Sequence, residues 1–296
     1  MGLSLEEKFE KVLDLRPIDD VFFEVLAQSK AVCREMLCTI LEDPALEVID
    51  VVVQSSERNL YGHSVRLDAL CTLGDGKRVN IEVQRSDNDD HLKRVRFNAA
   101  MITAKESNAG DNYSRIPDVI VVYISEFDFL KGGKTIYHVD KVLRETGKTI
   151  DDGQNEVFVN TAIDDNTDIA ALMNCFKSKL PENKKFPYLT SAIKMYKTTE
   201  GGVGAMCEVM QKYENIARNQ GHAQGLAQGL AQGLAQGLAQ GHTQGLAQGR
   251  SEGKLEMLIS LVKDGVLTKQ DAGARAGLTE QEFAALLNAP GDSSPA

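Results

Sequence analysis

Asp68 and Glu82, with Gln84 two residues beyond, are the side chains in this sequence whose types and spacing could do chemistry. Two carboxylates brought face to face can hold one or two Mg²⁺ ions through oxygen ligands. Ions held that way activate a water and offset the charge that builds on a phosphodiester during hydrolysis. Gln84 carries no charge and cannot act as a base, but it can orient a water or a phosphate oxygen by hydrogen bonds. The plainer alternative makes Asp68 and Glu82 solvated edge residues of an ordinary sheet. Like charges placed directly opposite each other only weaken such a sheet.

The elements that must position these residues are two strands. Ser64 to Thr72 and Lys77 to Gln84 alternate as strands do, separated by Gly74-Asp75-Gly76. A three-residue loop is among the commoner hairpin lengths. It sets Asp68 opposite Glu82 on one face, with Cβ atoms about 5 Å apart. A two-residue loop would set Asp68 against Val83 and break the pair, because a shift of one residue flips every side chain to the other face.

Around the hairpin the chain reads as α/β. Residues 4 to 14 read as a short helix or an arm, Pro17 stops it, and Asp19 is placed to cap a helix running from Asp20 to Ala27. Ser29 restarts a helix that ends before Pro44. Leu46 to Gln54 is rich in β-branched residues and reads as a strand. After an acidic turn at Asp87 to Asp90, Leu92, Val95, Ala99 and Ile102 mark a helix from His91 to Lys105. Lys93, Arg94 and Arg96 lie off that apolar stripe, where they can hold phosphates. Asn108 to Asn112 is turn chemistry. The apolar run Val119 to Ile124 reads as a central strand buried on both faces. Thr135 to Val139 and Glu156 to Asn160 are further strands. Ile169 to Phe176, Tyr188 to Tyr196 and Ala205 to Ala217 are helices. Residues 1–217 thus form one domain.

From 218 to 253 the composition becomes a tetrapeptide array built on Gly-Leu-Ala-Gln. Four residues advance a helix by about 400°, so no face stays apolar. A glycine in every repeat costs about 1 kcal/mol relative to alanine. The array is either a marginal helix that needs a second copy to pack on or a flexible linker. His222 and His242 read as drift within the repeats rather than metal ligands. Residues 254–296 form a small helical unit with a disordered tail. Its helix–Gly277–helix spacing is compatible with a helix-turn-helix. The second helix is acidic and apolar, which favours self-association or a protein partner over reading DNA.

Composition sets outer bounds. The 296 residues carry a net charge of −10, so the chain is no basic nucleic-acid coat, and any DNA contact must be local. Its five cysteines are scattered without zinc spacing and read as reduced thiols. The start of the chain lacks the apolar core of a signal peptide, and no run suits a membrane span. A cytoplasmic protein with no membrane association is expected.

Several segments together resemble the PD-(D/E)XK nuclease superfamily, in particular its recombination-promoting nuclease/putative transposase family. These are Asp19-Asp20-Val21-Phe22-Phe23, the strands Ser64 to Leu70 and Asn80 to Arg85, the helix Asp89 to Asn98, and Pro117 to Phe127, followed by a repetitive polar tail. The resemblance spans residues 17 to 217. It implies a restriction-endonuclease-like core, with a mixed central sheet flanked by helices, that cleaves DNA with Mg²⁺ (or Mn²⁺ in its place). Asp68 and Glu82 would be catalytic metal ligands, Asp20 a third acidic contributor, and Gln84 would take the place of the superfamily's lysine. Leu67 stands where that pattern has proline. Double-strand cleavage needs two sites, so a homodimer is implied. The rival reading is an inactive DNA-binding or assembly protein that keeps the fold.

Overall fold

The computed structural model describes residues 5–58, 64–87, 89–107, 110 and 112–288. It divides into two units, residues 1–216 and 217–296. Parts of the turn expected at Asn108 to Asn112, the start of the first helix at Ser4, and the tail beyond Asn288 fall outside the described residues.

The first unit begins with three helices, α1 (Leu5–Asp14), α2 (Asp20–Ala27) and α3 (Lys30–Ile40). Asp19 stands at the N-cap of α2, but its carboxylate does not cap the helix. It accepts instead from the Arg16 backbone N–H at 2.6 Å and from the Arg85 guanidinium. Ser29 does cap α3, accepting from the N–H of Val32.

Strands β1 (Val48–Arg58), β2 (Ser64–Leu73) and β3 (Arg78–Gln84) follow as an antiparallel meander. Helix α4 (His91–Lys105) crosses to β4 (Val119–Ser125), which runs parallel to β3. Then come β5 (Ile136–Val139), the two-residue strands β6 (Lys141–Val142) and β7 (Thr149–Ile150), which pair only with each other, and β8 (Gln154–Asn160). The main sheet has the order β1-β2-β3-β4-β8-β5. It is mixed, since β4 is parallel to both neighbours while the outer pairs are antiparallel.

The sheet separates two apolar layers. Ile81, Val83, Val122 and Ile124 pack with α2, α3 and the helix α5 (Asp168–Lys177). Leu70, Val121 and Tyr123 pack on the opposite face with Val95, Ala99 and Ile102 of α4. The apolar run at 119–124 is therefore buried on both faces because helices cover both. Helix α6 (Pro187–Thr198) closes the first layer. Its Lys197 is wholly buried and donates to Leu13 O at 2.8 Å and to Leu15 O, where α1 ends. Burial brings that ammonium down to about 8.

A single helix, α7 (Glu200–Lys263), begins earlier than the sequence pattern predicts and runs through the whole tetrapeptide array. It starts through Gly201, Gly202 and Gly204 because Gly202 lies against the α6 backbone. A Cβ there would collide with Met195 O. Val203 and Met206 then enter the first core.

In the second unit the repeats are exposed along their length, with Leu226, Leu230, Leu234 and Leu238 at 66–76% exposure. Leu258 of α7 packs with Ala272 of α8 (Lys269–Ala276) and Phe283 of α9 (Glu280–Asn288). Thr268 caps α8. Thr279 and Glu282 cap α9 reciprocally, Thr279 Oγ1 accepting from Glu282 N–H and Glu282 Oε2 from Thr279 N–H. The exposed first turn of α9 carries Glu280 and Glu282, an unfavourable surface for a phosphate backbone.

Candidate active site

The turn Gly74–Gly76 has the predicted three residues, closed by Leu73 N–H donating to Lys77 O and Gly76 N–H donating to Leu73 O, both at 3.0 Å. Gly76 sits at φ +90°, a conformation that side-chain-bearing residues seldom adopt. From this turn the pairs run Thr72–Arg78, Cys71–Val79, Leu70–Asn80 and Ala69–Ile81. The next pair in that register is Asp68 with Glu82, on the α4 face.

The ladder stops just there. Instead of continuing the pairing, the Asp68 carboxylate accepts the Val83 backbone N–H at 3.0 Å. On the other side of Asp68, β1 is also disturbed. Pairing runs Val53–Ala69 and then Ser55–Leu67, and the residue between, Gln54, has φ +52°. Strain in a non-glycine residue costs about 1–3 kcal/mol and concentrates near functional sites. The Gln54 amide reaches Glu24 of α2 and Tyr213 of α7. At the level of Asp68 the pairing of β2 with β3 ends, while β1 keeps its register past it with Gln54 in an unusual backbone conformation.

Glu82 is 5% exposed. Burial drives its carboxyl up to about 6. The Asn80 amide, Arg94, the Asp68 backbone N–H and Asn98 oppose that rise. Asn80 precedes Glu82 by two on the same strand face, and its Nδ2 donates to Glu82 Oε2 at 3.0 Å. Tyr123, paired with Glu82 across β3–β4, is buried, and its hydroxyl lies 2.8 Å from His91 Nδ1. His91 Nε2 in turn lies 3.0 Å from Asp87. Burial, with Glu82 and Asp68 adding, raises the Tyr123 phenol well above its ordinary range.

The remaining expected residues divide. Gln84 reaches the right edge, but its Nε2 donates to Ser86 O at 2.8 Å. Asp20 is exposed at the surface, yet desolvation, with Asp19 adding, raises its carboxyl, while Arg85 and Arg94 oppose the rise. It does not complete a three-carboxylate set with Asp68 and Glu82. Among the described residues no three His, Cys, Asp or Glu side chains converge to hold a metal ion. Asp20 instead lines a cleft of about 660 Å³ with Asp19, Gln84, Arg85 and Ser86. Lys93 and Arg96 point into solvent, whereas Arg94 turns inward, with Nη2 3.6 Å from Asp90. A cavity of about 630 Å³ at the turn end of the hairpin, lined by Leu46, Leu73, Lys77 and His138, is remote from the carboxylates.

Asn80 and Asn98 were not anticipated as site residues. Their signal was available: Asn80 shares the face of Glu82, and Asn98 is a polar residue among the buried positions of α4, four residues after Arg94. Among the described residues the buried side-chain atoms without a close hydrogen-bond partner are Asn80 Oδ1, Arg94 Nε and Asn98 Nδ2, and Asn80, Arg94 and Asn98 all neighbour Glu82. The donor set fits a hard divalent cation, with two carboxylates and a buried amide oxygen. Mg²⁺ commonly takes one or two carboxylates and keeps several waters.

Residues 19–163 match the family model of the PD-(D/E)XK nuclease family transposase. That similarity is confined to the matched segment, just under half of the chain. No curated protein and no solved structure matches the chain. The matched segment of this nuclease-type domain runs from the cap of α2 to just past β8, and so contains Asp20, Asp68, Glu82, Gln84 and all of α4. Helices α5 to α9 lie beyond it. No helix among the described residues is long and apolar enough to cross a membrane.

Proposed function

We propose that the chain is a divalent-metal-dependent DNA endonuclease, using Mg²⁺ or Mn²⁺, that acts in the cytoplasm in transposition, recombination or defence against foreign DNA. The observation that carries this reading is the register of the β2–β3 hairpin, which sets Asp68 opposite a buried Glu82 where the ladder opens. Asp68 and Glu82 would hold the cation, with Asn80 Oδ1 as a neutral oxygen beside them. A divalent cation there supplies an activated water and positive charge for the phosphoryl oxygens. Asn80 fixes the Glu82 carboxylate by its hydrogen bond. The Asp68 carboxylate is fixed by the Val83 N–H. Lys93 and Arg96, exposed on α4, are placed to hold flanking phosphates. A homodimer would supply the second site that double-strand cleavage needs, with the C-terminal unit binding its own copy or a protein partner.

One observation favours a different reading. Gln84 is neutral and turned to Ser86 O, so β3 contributes no positive charge at position 84, as suits an inactive DNA-binding or assembly protein that keeps the fold. Nicking of supercoiled plasmid separates the two. The parent should nick with Mg²⁺ or Mn²⁺ and stop with chelator. Asp68→Asn and Glu82→Gln should each lose more than the roughly tenfold to hundredfold that removal of an outer partner costs a metal site. A parent that leaves plasmid intact with either ion, or variants that nick at the parent's rate, would remove the catalytic reading.

A further inference from the structure

The three unpartnered buried atoms beside Glu82 need an explanation. Asn80 and Asn98 are 0% and 2% exposed, and Arg94 Nε is buried although the rest of its side chain reaches the surface. Leaving a buried polar group without a partner costs about 1–3 kcal/mol. Three such atoms around one carboxylate are therefore expensive unless something else bonds to them.

Their chemistry differs by side. Glu82 is an acceptor, so the hydrogen bond from Asn80 Nδ2 turns Asn80 Oδ1 away as a free acceptor, suited to a cation or a water. On α4 the two atoms are donors. Arg94 and Asn98 are four residues apart, hence on one face of the helix. Both lie near enough to Glu82 to favour its ionised form, Arg94 by charge alone and Asn98 by an approach of its amide too loose to satisfy Nδ2, so Arg94 Nε and Asn98 Nδ2 still have donor capacity for a ligand. Two donors on one helix face, one of them cationic, match an anionic oxygen carried by a ligand. Beside a carboxylate pair suited to a cation, that oxygen belongs to a phosphate.

We propose that Arg94 Nε and Asn98 Nδ2 hold a non-bridging oxygen of the scissile phosphate, so that α4 delivers the positive charge that β3 lacks at Gln84. The inference rests on the nuclease reading above and makes it more specific. Arg94 is distinguished from Lys93 and Arg96, which stay in solvent and can touch only flanking phosphates. Its planar fork also explains why the position suits arginine better than lysine.

The test uses the full-length protein, with Arg94→Gln and Asn98→Leu, and three measurements: thermal melting, titration with thymidine 5′-monophosphate, and plasmid cleavage. Leucine shares asparagine's γ-branching and heavy-atom count, though it is bulkier, and it removes an incompletely satisfied buried amide, so Asn98→Leu should melt close to the parent temperature. Both variants should bind the nucleotide at least fivefold more weakly. Where the parent cleaves, kcat should fall roughly 10²- to 10³-fold, as for loss of one oxyanion donor, with KM within about twofold. Nucleotide affinity within twofold of the parent in both variants overturns the proposal, as does a parent that binds no nucleotide. A lower melting temperature for Asn98→Leu with unchanged affinity assigns Asn98 to structure and also overturns it. A parent that cleaves no DNA, with variants that still lose nucleotide binding, removes the nuclease reading and leaves the phosphate subsite standing.

Discussion

Burial lifts the Glu82 carboxyl from 4.5 to about 6, so between those pH values the folded chain binds more protons than the unfolded one. Stability from this group is therefore fullest below pH 4.5, declines as pH rises to about 6, and is flat above. At about 1.4 kcal/mol per pH unit the penalty at neutral pH is about 2 kcal/mol. Glu82→Gln should accordingly be more stable than the parent by up to that amount in urea unfolding at pH 7.5, and the difference should close at pH 4. Adding Mg²⁺ at pH 7.5 should stabilise the parent and leave Glu82→Gln nearly unmoved. Identical unfolding midpoints at pH 7.5 would contradict the burial argument. At this scale the sequence made Asp68 and Glu82 legible, because their register follows from a turn length. It did not make Asn80 and Asn98 legible as a pair. They converge only through the packing of α4 on the sheet, which strand alternation does not encode. The sequence puts Asp20 at a helix start but does not say how far that start lies from the hairpin.

Among the elements, the hairpin and α4 carry the site. Gly76→Val should force a β-branched residue into φ +90° and cost about 1–2 kcal/mol, lowering the melting temperature while leaving activity per folded molecule intact. On the proposed DNA-binding reading Lys93, Arg94 and Arg96 of α4 meet phosphates, so the logarithm of DNA affinity should fall against the logarithm of salt concentration with a slope of about −3. Lys93→Gln or Arg96→Gln should each reduce that slope by about one, measured by fluorescence anisotropy across a salt series. A slope unchanged by both substitutions would place the DNA path elsewhere. Helix α4 was legible to its ends because its apolar spacing is regular, and β4 because its apolar run is uninterrupted. The two-residue strands β6 and β7 were not, since so short a stretch has no periodicity. Nor was the turned backbone at Gln54, where an ordinary strand sequence takes a positive φ to reach Glu24 and Tyr213.

At the scale of the whole molecule, the abrupt change of composition after residue 217 falls at the division between the two units. The array is helical although each glycine disfavours it, and its leucines are exposed, the condition under which pairing with a second copy would be expected. Deleting residues 219–296 should leave residues 1–218 folded on their own core and reduce the mass in solution to that of a monomer. An unchanged oligomer by light scattering would assign assembly to the first unit. Whether the array is helix or linker was not legible, because local propensity and repeat length argue in opposite directions there.

The crossing from β3 through α4 to β4 has a consequence for how the protein comes into being. The two carboxylates sit on a hairpin, whose contacts are local and close early during folding. The donors Arg94 and Asn98 reach Glu82 only after α4 docks. Gln54, on the strand beside Asp68, meets Tyr213, a contact between residues 159 apart in the chain. A chain still emerging from the ribosome thus carries its acidic pair long before the rest of the centre can assemble around it. On the proposed nuclease reading, cutting would begin only with the completed domain, sparing DNA near a half-made chain.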